Sequence, residues 1–300
     1  MDRKGILYGI GAYVLWGFFP IYWKFLHQVP ALQVIGHRIA WSFVVLIIFV
    51  VAAKQWQEFR SAAFSAKIIG IYTIAAVLLS VNWLIYVWGV NAGFIVETSL
   101  GYFINPLLSM LMGMIFLRER LRLPQWIPVT LAAIGVIYLT LVYGRLPWIA
   151  LALAFSFGFY GLVKKLTPLG SLYGLTLETG ILFVPALVFL TFEEITGTGA
   201  FAHDGTFVTS LLIGAGVVTT IPLLMFASAA QSIPLTMVGV LQYIAPTIQF
   251  LIGVFLYKEP FDKAHFIGFS IVWVALISFW IENYVAHRAP LEPLAELGEG

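Results

Sequence analysis

Ten stretches of about 20 apolar residues follow one another along this chain and leave little length for anything else. They fall at roughly 4–26, 33–53, 67–90, 93–117, 124–143, 147–166, 171–191, 207–229, 235–256 and 263–283. At 1.5 Å per residue, each is long enough to cross the roughly 30 Å hydrocarbon core of a bilayer as an α-helix. Only a helix or a closed barrel satisfies its own backbone polar groups there. Composition agrees: 61% of residues are hydrophobic and 10% charged, against about 25% charged in soluble domains. The expected fold class is therefore an all-α membrane protein of about ten transmembrane helices. The least defined boundaries are at Asn91-Ala92-Gly93 and Ser232-Ile233-Pro234, and the sizeable hydrophilic loop runs from Glu193 to Gly205. The first apolar run reaches Phe25 without a small-residue cleavage site and reads as a retained span. Residues 285–300, rich in Pro and Glu without apolar period, read as a disordered cytoplasmic tail.

Several chemistries are disfavoured at once. The chain has no cysteine, and its five histidines form no H-E-x-x-H pattern, so neither a disulfide nor a metal site is expected. No G-x-x-x-x-G-K-[ST] loop occurs, so ATP is not the expected energy source. No cofactor and no nucleic-acid partner is expected; the expected partners are the lipid bilayer and a small-molecule substrate.

Charge distribution gives orientation. With the N-terminus inside and ten alternating spans, the inner side receives Arg3, Lys4, Lys54, Arg60, Lys67, Arg118, Arg120, Arg122, Lys164, Lys165 and Arg288. The outer side receives Lys24, Arg145, Lys258 and Lys263. This asymmetry is what the positive-inside rule requires, and it predicts both termini in the cytoplasm.

The halves also match. Phe103-Ile104-Asn105-Pro106 pairs with Tyr243-Ile244-Ala245-Pro246 at a spacing of 140 residues, a register that also aligns Gly113 with Gly253 and Arg118-Glu119 with Lys258-Glu259. In the first span of each half, Gly17-Phe18-Phe19 pairs with Gly158-Phe159-Tyr160, and Lys24 with Lys165, at 141. Two five-helix repeats follow, 4–143 and 147–284. An odd number of spans per repeat inverts the second, which is the arrangement of many secondary transporters.

The run Glu97-Thr98-Ser99-Leu100-Gly101-Tyr102-Phe103-Ile104-Asn105-Pro106-Leu107 and Glu119-Arg120-Leu121 resembles the fourth span of RarD-type proteins, in the EamA branch of the drug/metabolite transporter superfamily. His37-Arg38, Asn82-Trp83, Glu178-Thr179 and Leu241-Gln242-Tyr243-Ile244-Ala245-Pro246 resemble the same pattern, and the likeness covers Lys4 to Tyr284. The resemblance implies ten helices in two inverted halves around a central cavity, in the bacterial cytoplasmic membrane. It implies a permease role, with chloramphenicol sensitivity behind the family name and amino acids or other metabolites exported by related branches.

Ionisable groups inside spans are the first candidates for function, because each costs a few kcal/mol to insert and must face protein or a water-filled cavity. His37 and Arg38 lie a turn or so into the second span, and Glu178 about two turns into the seventh. His37 aligns with Glu178 at 141. These three suit a passage for an anion or zwitterion, with Glu178 as proton carrier; a structural ion pair, a snorkelling Arg38 and a hydrogen-bonded His37 are the alternatives. Glu97 reads as a gate or as a helix N-terminal charge. Asn82, Asn105 and Gln242 suit substrate binding or interhelical hydrogen bonds. Trp16, Trp83, Tyr102 and Tyr243 suit an aromatic cavity or simple packing. Pro106 and Pro246 suit hinges or helix packing. Lys164-Lys165 and Arg118-Glu119-Arg120 read as topology determinants at the headgroups.

The expected function is secondary transport of a small metabolite or drug, by alternating access, outward and proton-coupled; an amino-acid-like metabolite and an amphiphilic drug both fit. A channel or a structural subunit is the alternative class. An intramembrane enzyme is disfavoured: the spans hold no aspartate, and His37 has no serine partner in sequence.

Overall fold

The computed structural model describes residues 2–92, 94–144, 146–258 and 263–288, and every regular element among them is helical. In chain order these are α1 (Arg3–Lys24), α2 (Ala31–Ala52), α3 (Trp56–Ala63), α4 (Ala66–Asn91), α5 (Ile95–Phe116), α6 (Trp126–Tyr143), α7 (Trp148–Leu166), α8 (Ser171–Ile195), α9 (Thr206–Ser232), α10 (Leu235–Gln242), α11 (Ile244–Leu251) and α12 (Lys263–Arg288). A π-helical turn, Ile252–Leu256, continues α11. Counting Leu235–Leu256 as one, nine helical segments among the described residues are long and apolar enough to cross a membrane, and α12 adds the apolar stretch Phe266–Glu282.

Four details depart from the sequence reading. Helix α8 runs to Ile195, so Glu193 and Glu194 lie in its last turn and not in the loop. Helix α12 runs to Arg288, so residues 285–288 are helical rather than tail. No glycine or proline falls between Gly268 and Pro290, and adding a residue to an existing helix costs little. Helix α3 was not expected. It is amphipathic and buries Phe59 and Ala63 in a cluster with Val50, Tyr72, Leu169 and Leu177. Its place between α2 and α4 puts it at the end of the bundle that bears the N-terminus. Finally, Lys164 is not at a headgroup: its side chain is fully buried. Glu259, Arg145 and residues 289–300 lie outside the described residues.

The two halves run in opposite senses. Helix α1 leaves the N-terminal end, whereas its counterpart α7 follows five passages and returns toward that end. The packing obeys the same inversion. Helix α5 packs on α7 as α10–α11 pack on α1; α1 packs on α9 as α7 packs on α4; α2 packs on α9 as α8 packs on α4. Pairs α2–α8, α5–α10 and α6–α12 join counterparts directly and so lie along the pseudo-two-fold axis. The backbone repeats too. Arg118 and Lys258, which follow the equivalent helix ends, have left-handed φ angles of 55° and 56°, a conformation uncommon outside glycine.

Interfaces use small residues for close approach, as helices in lipid do. A Cβ on Gly216 would lie 2.5 Å from the backbone of Trp41, fixing α9 against α2. Side chains such as Leu7, Ile48, Ile115, Ile137, Val188 and Ile277 face outward and form the apolar perimeter. Glu119 closes the N-terminal end of one crossing: its carboxylate accepts from the backbone N–H groups of Leu235 at 2.7 Å and Thr236 at 2.8 Å, capping α10.

Candidate functional site

Prolines open the site. Pro20 has no N–H, so the carbonyl of Trp16, four residues earlier, loses its intrahelical donor. Gln249 on α11 donates to it instead, at 3.1 Å. Pro106 lies inside α5 and Pro246 in the first turn of α11, at equivalent places, and all three prolines border one central cavity of about 270 Å³.

From α1 the cavity receives Tyr13, Trp16, Phe19, Pro20 and Trp23; from α2, Arg38; from α4, Asn82, Trp83 and Tyr86. Helices α5 and α7 add Thr98, Gly101, Tyr102, Asn105, Leu153 and Phe157, and α10–α11 add Gln242, Ala245 and Gln249. Helix α1 contributes its second half and α5 its first half, so the cavity runs from the middle of the bundle toward the end opposite the N-terminus.

Arg38 is the cation of this cavity. Its Nε donates to Thr219 Oγ1 at 3.0 Å, and its guanidinium carbon lies 4.7 Å from the ring centre of Trp23 and 4.4 Å from that of Trp83. No carboxylate lines the cavity among the described residues. Among the lining residues, Asn105 Oδ1 is buried without a hydrogen-bond partner in the protein, and the Tyr13 hydroxyl and the Gln242 side chain lie beside each other, both buried. Asn82 is partly committed: its Nδ2 donates to the Leu153 carbonyl at 2.9 Å and to Ser156 Oγ at 3.0 Å. Tyr86 and Tyr102 pack edge to face, with centroids 5.8 Å apart.

Four sequence candidates lie elsewhere. His37 faces a second pocket beside Glu193 and Glu194 and stacks on Phe201 at 5.1 Å, because it sits a helical step around α2 from Arg38. Glu97 is buried and accepts from the Ile149 backbone N–H at 2.7 Å and from Tyr143 OH, so it caps α7 rather than its own helix. Tyr243 donates to the Phe103 carbonyl. Glu178 accepts from Lys164 at 2.7 Å and from Tyr160 OH at 3.1 Å, with both charged side chains fully buried. The counter-charge is Lys164, 14 residues away on α7, so the structural ion pair is the arrangement found at Glu178.

Arg38, Asn82, Trp83, Tyr102, Asn105 and Gln242 are thus brought together with Trp16, Pro106 and Pro246. The sequence reading missed Tyr13, Trp23, Tyr86 and Gln249. Tyr13, Trp16, Pro20 and Trp23 recur at three- and four-residue steps, one face of α1, and this stripe was the available signal. It is hard to see where every face of a helix is apolar.

Comparison with known proteins agrees with this architecture. Residues 3–141 match the model of the EamA-like transporter family. The chain is 47% identical to the uncharacterized transporter YojE of Bacillus subtilis (strain 168), over 96% of this chain and 97% of that protein. It is 43% identical to Protein RarD of Streptomyces exfoliatus, over 92% of this chain and 88% of that protein. A solved crystal structure superposes with a TM-score of 0.71 over 94% of this chain and 99% of the other, at 16% identity, which shows a shared fold.

Proposed function

The chain belongs to the EamA-like transporter family, and on that premise we propose that it is a secondary carrier which binds a small solute in the central cavity and passes it across the bacterial inner membrane by alternating access. One observation carries this reading. The cavity ends at the middle of the bundle, and on its far side the N-terminal half is sealed around Lys164, Glu178 and Tyr160. A cavity confined to one half of the bundle, with the other half packed shut, supports a carrier over an open pore.

The repeat supplies the moving parts. Trp23 and Lys164 are equivalent at a spacing of 141, as are His37 and Glu178, and Arg38 and Thr179. Trp23 and Arg38 border the central cavity and His37 a second pocket, while Lys164 and Glu178 form a buried ion pair. Exchanging these two environments would open the N-terminal end. The Lys164–Glu178 pair acts as the latch, because breaking a desolvated pair needs water or a ligand to take its place. In this reading both termini are cytoplasmic, which the charge asymmetry supports. The cycle runs outward, following the family resemblance. Glu178 exchanges a proton when the latch opens to the cytoplasmic side.

Counterflow in proteoliposomes tests the carrier. Labelled solute should accumulate transiently against unlabelled internal solute, and simple equilibration would point to a channel. Glu178→Gln tests the proton step, which is lost if that variant keeps the pH dependence of the unmodified protein.

A further inference from the structure

We infer that the central cavity selects a net-anionic organic solute: a carboxylate on a flat apolar body that also carries a neutral hydrogen-bond donor. The inference rests on the carrier reading and names the substrate class of the same cavity.

The charge argument comes first. Arg38 carries five N–H donors in a planar fork. One of them, on Nε, is used by Thr219. The four on the terminal nitrogens have no acceptor among the described residues, and no described carboxylate forms an ion pair with Arg38. The two indoles that flank the guanidinium, Trp23 and Trp83, partly compensate the lost hydration through their π faces but accept none of these hydrogens. A cation held this way inside a membrane protein favours an anion that fits its fork, and a carboxylate does so through two parallel hydrogen bonds.

The charge count also separates anion from zwitterion. An α-ammonium group on the solute would find no carboxylate in the wall among the described residues, and would sit in the same cavity as the Arg38 cation, which disfavours it. The other polar atoms there are neutral. Asn105 Oδ1 is a buried acceptor without a donor, whereas Gln242 has the Tyr13 hydroxyl beside it, and an unpaired buried acceptor is costly until an N–H or O–H reaches it. Aromatic walls from Trp16 and Phe157 suit a flat apolar body between these polar ends. At about 270 Å³ the space lies just under the usual range for ligand pockets of about 300–1,000 Å³, so it suits one small metabolite better than a bulky amphiphile.

Three indoles that differ in charge test the inference on the full-length protein at pH 7: indole-3-acetate (anion), tryptophan (zwitterion) and tryptamine (cation). Binding is read in detergent by thermal stabilisation of the purified protein. Transport is read separately by counterflow in proteoliposomes. Indole-3-acetate should bind at least about tenfold more tightly than tryptophan, a difference of about 1.4 kcal/mol, and tryptamine should bind least. Arg38→Gln should abolish that order, and Arg38→Lys, which keeps the charge and loses the fork, should fall between. Equal or tighter binding of tryptophan or tryptamine to the unmodified protein overturns the inference, as does absence of indole-3-acetate binding. Binding in the expected order without counterflow would instead count against the carrier reading and leave the substrate class standing.

Discussion

The hydroxyl of Tyr243 meets the backbone carbonyl of Phe103, 140 residues earlier, at 3.4 Å. These are equivalent positions of the two halves, so the contact marks where α5 and α10 cross near the pseudo-two-fold axis. Beside it, a Cβ on Gly239 would lie 2.6 Å from the Pro106 carbonyl oxygen, which is as close as the two backbones can come.

This crossing is predicted to depend on the glycine more than on the hydroxyl. Tyr243→Phe should lower stability by about 0.6 kcal/mol, typical of interhelical hydrogen bonds in membranes. Gly239→Ala should cost about 1–3 kcal/mol, because a backbone oxygen cannot swing aside as a side chain does. Thermal unfolding of the two purified variants ranks them, and the reverse order would contradict the close-packed crossing.

The latch should behave as a buried pair. Lys164→Met or Glu178→Leu alone should destabilise by about 3–5 kcal/mol, because each leaves a desolvated charge without its partner. The double variant should recover most of that loss. Additive losses in a double-mutant cycle would mean that the two residues contribute independently.

The cap on α10 makes a third case. Glu119→Ala removes both acceptors of the Leu235 and Thr236 N–H groups and should cost about 1–2 kcal/mol. Glu119→Gln keeps an acceptor without the charge and should lose less. If the glutamine variant is as unstable as the alanine variant, the hydrogen bonds are not what Glu119 supplies.

Orientation can be read directly because the chain has no native cysteine. A cysteine at Gly199 should react with an impermeant maleimide added outside intact cells. One at Lys54, in the turn that ends α2 near the N-terminal end, should react only after permeabilisation. Labelling in the opposite sense would invert the topology.

Much of the fold was legible in the sequence because the bilayer imposes length and polarity on every span. The predicted spans 33–53 and 124–143 fall within two residues of α2 and α6. The site was legible only in part. Arg38 stood out because a lone charge in an apolar run must face something polar, and Asn105 and Gln242 stood out for the same reason. Helical phase was the difficulty: His37 and Arg38 are adjacent in sequence, yet one faces the loop-side pocket and the other the cavity.

The sequence alone set the all-helical class and the placing of the apolar spans, since hydropathy and residue spacing are local properties that need no neighbour. Tertiary structure decided which charges are paired. Lys164 reads as a headgroup lysine until α8 brings Glu178 to 2.7 Å, and Glu178 reads as a passage carboxylate until that same lysine takes it. Whether a buried charge is a latch or a binding group depends on what packs against it, and in a bundle those partners come from helices that the linear order does not bring together.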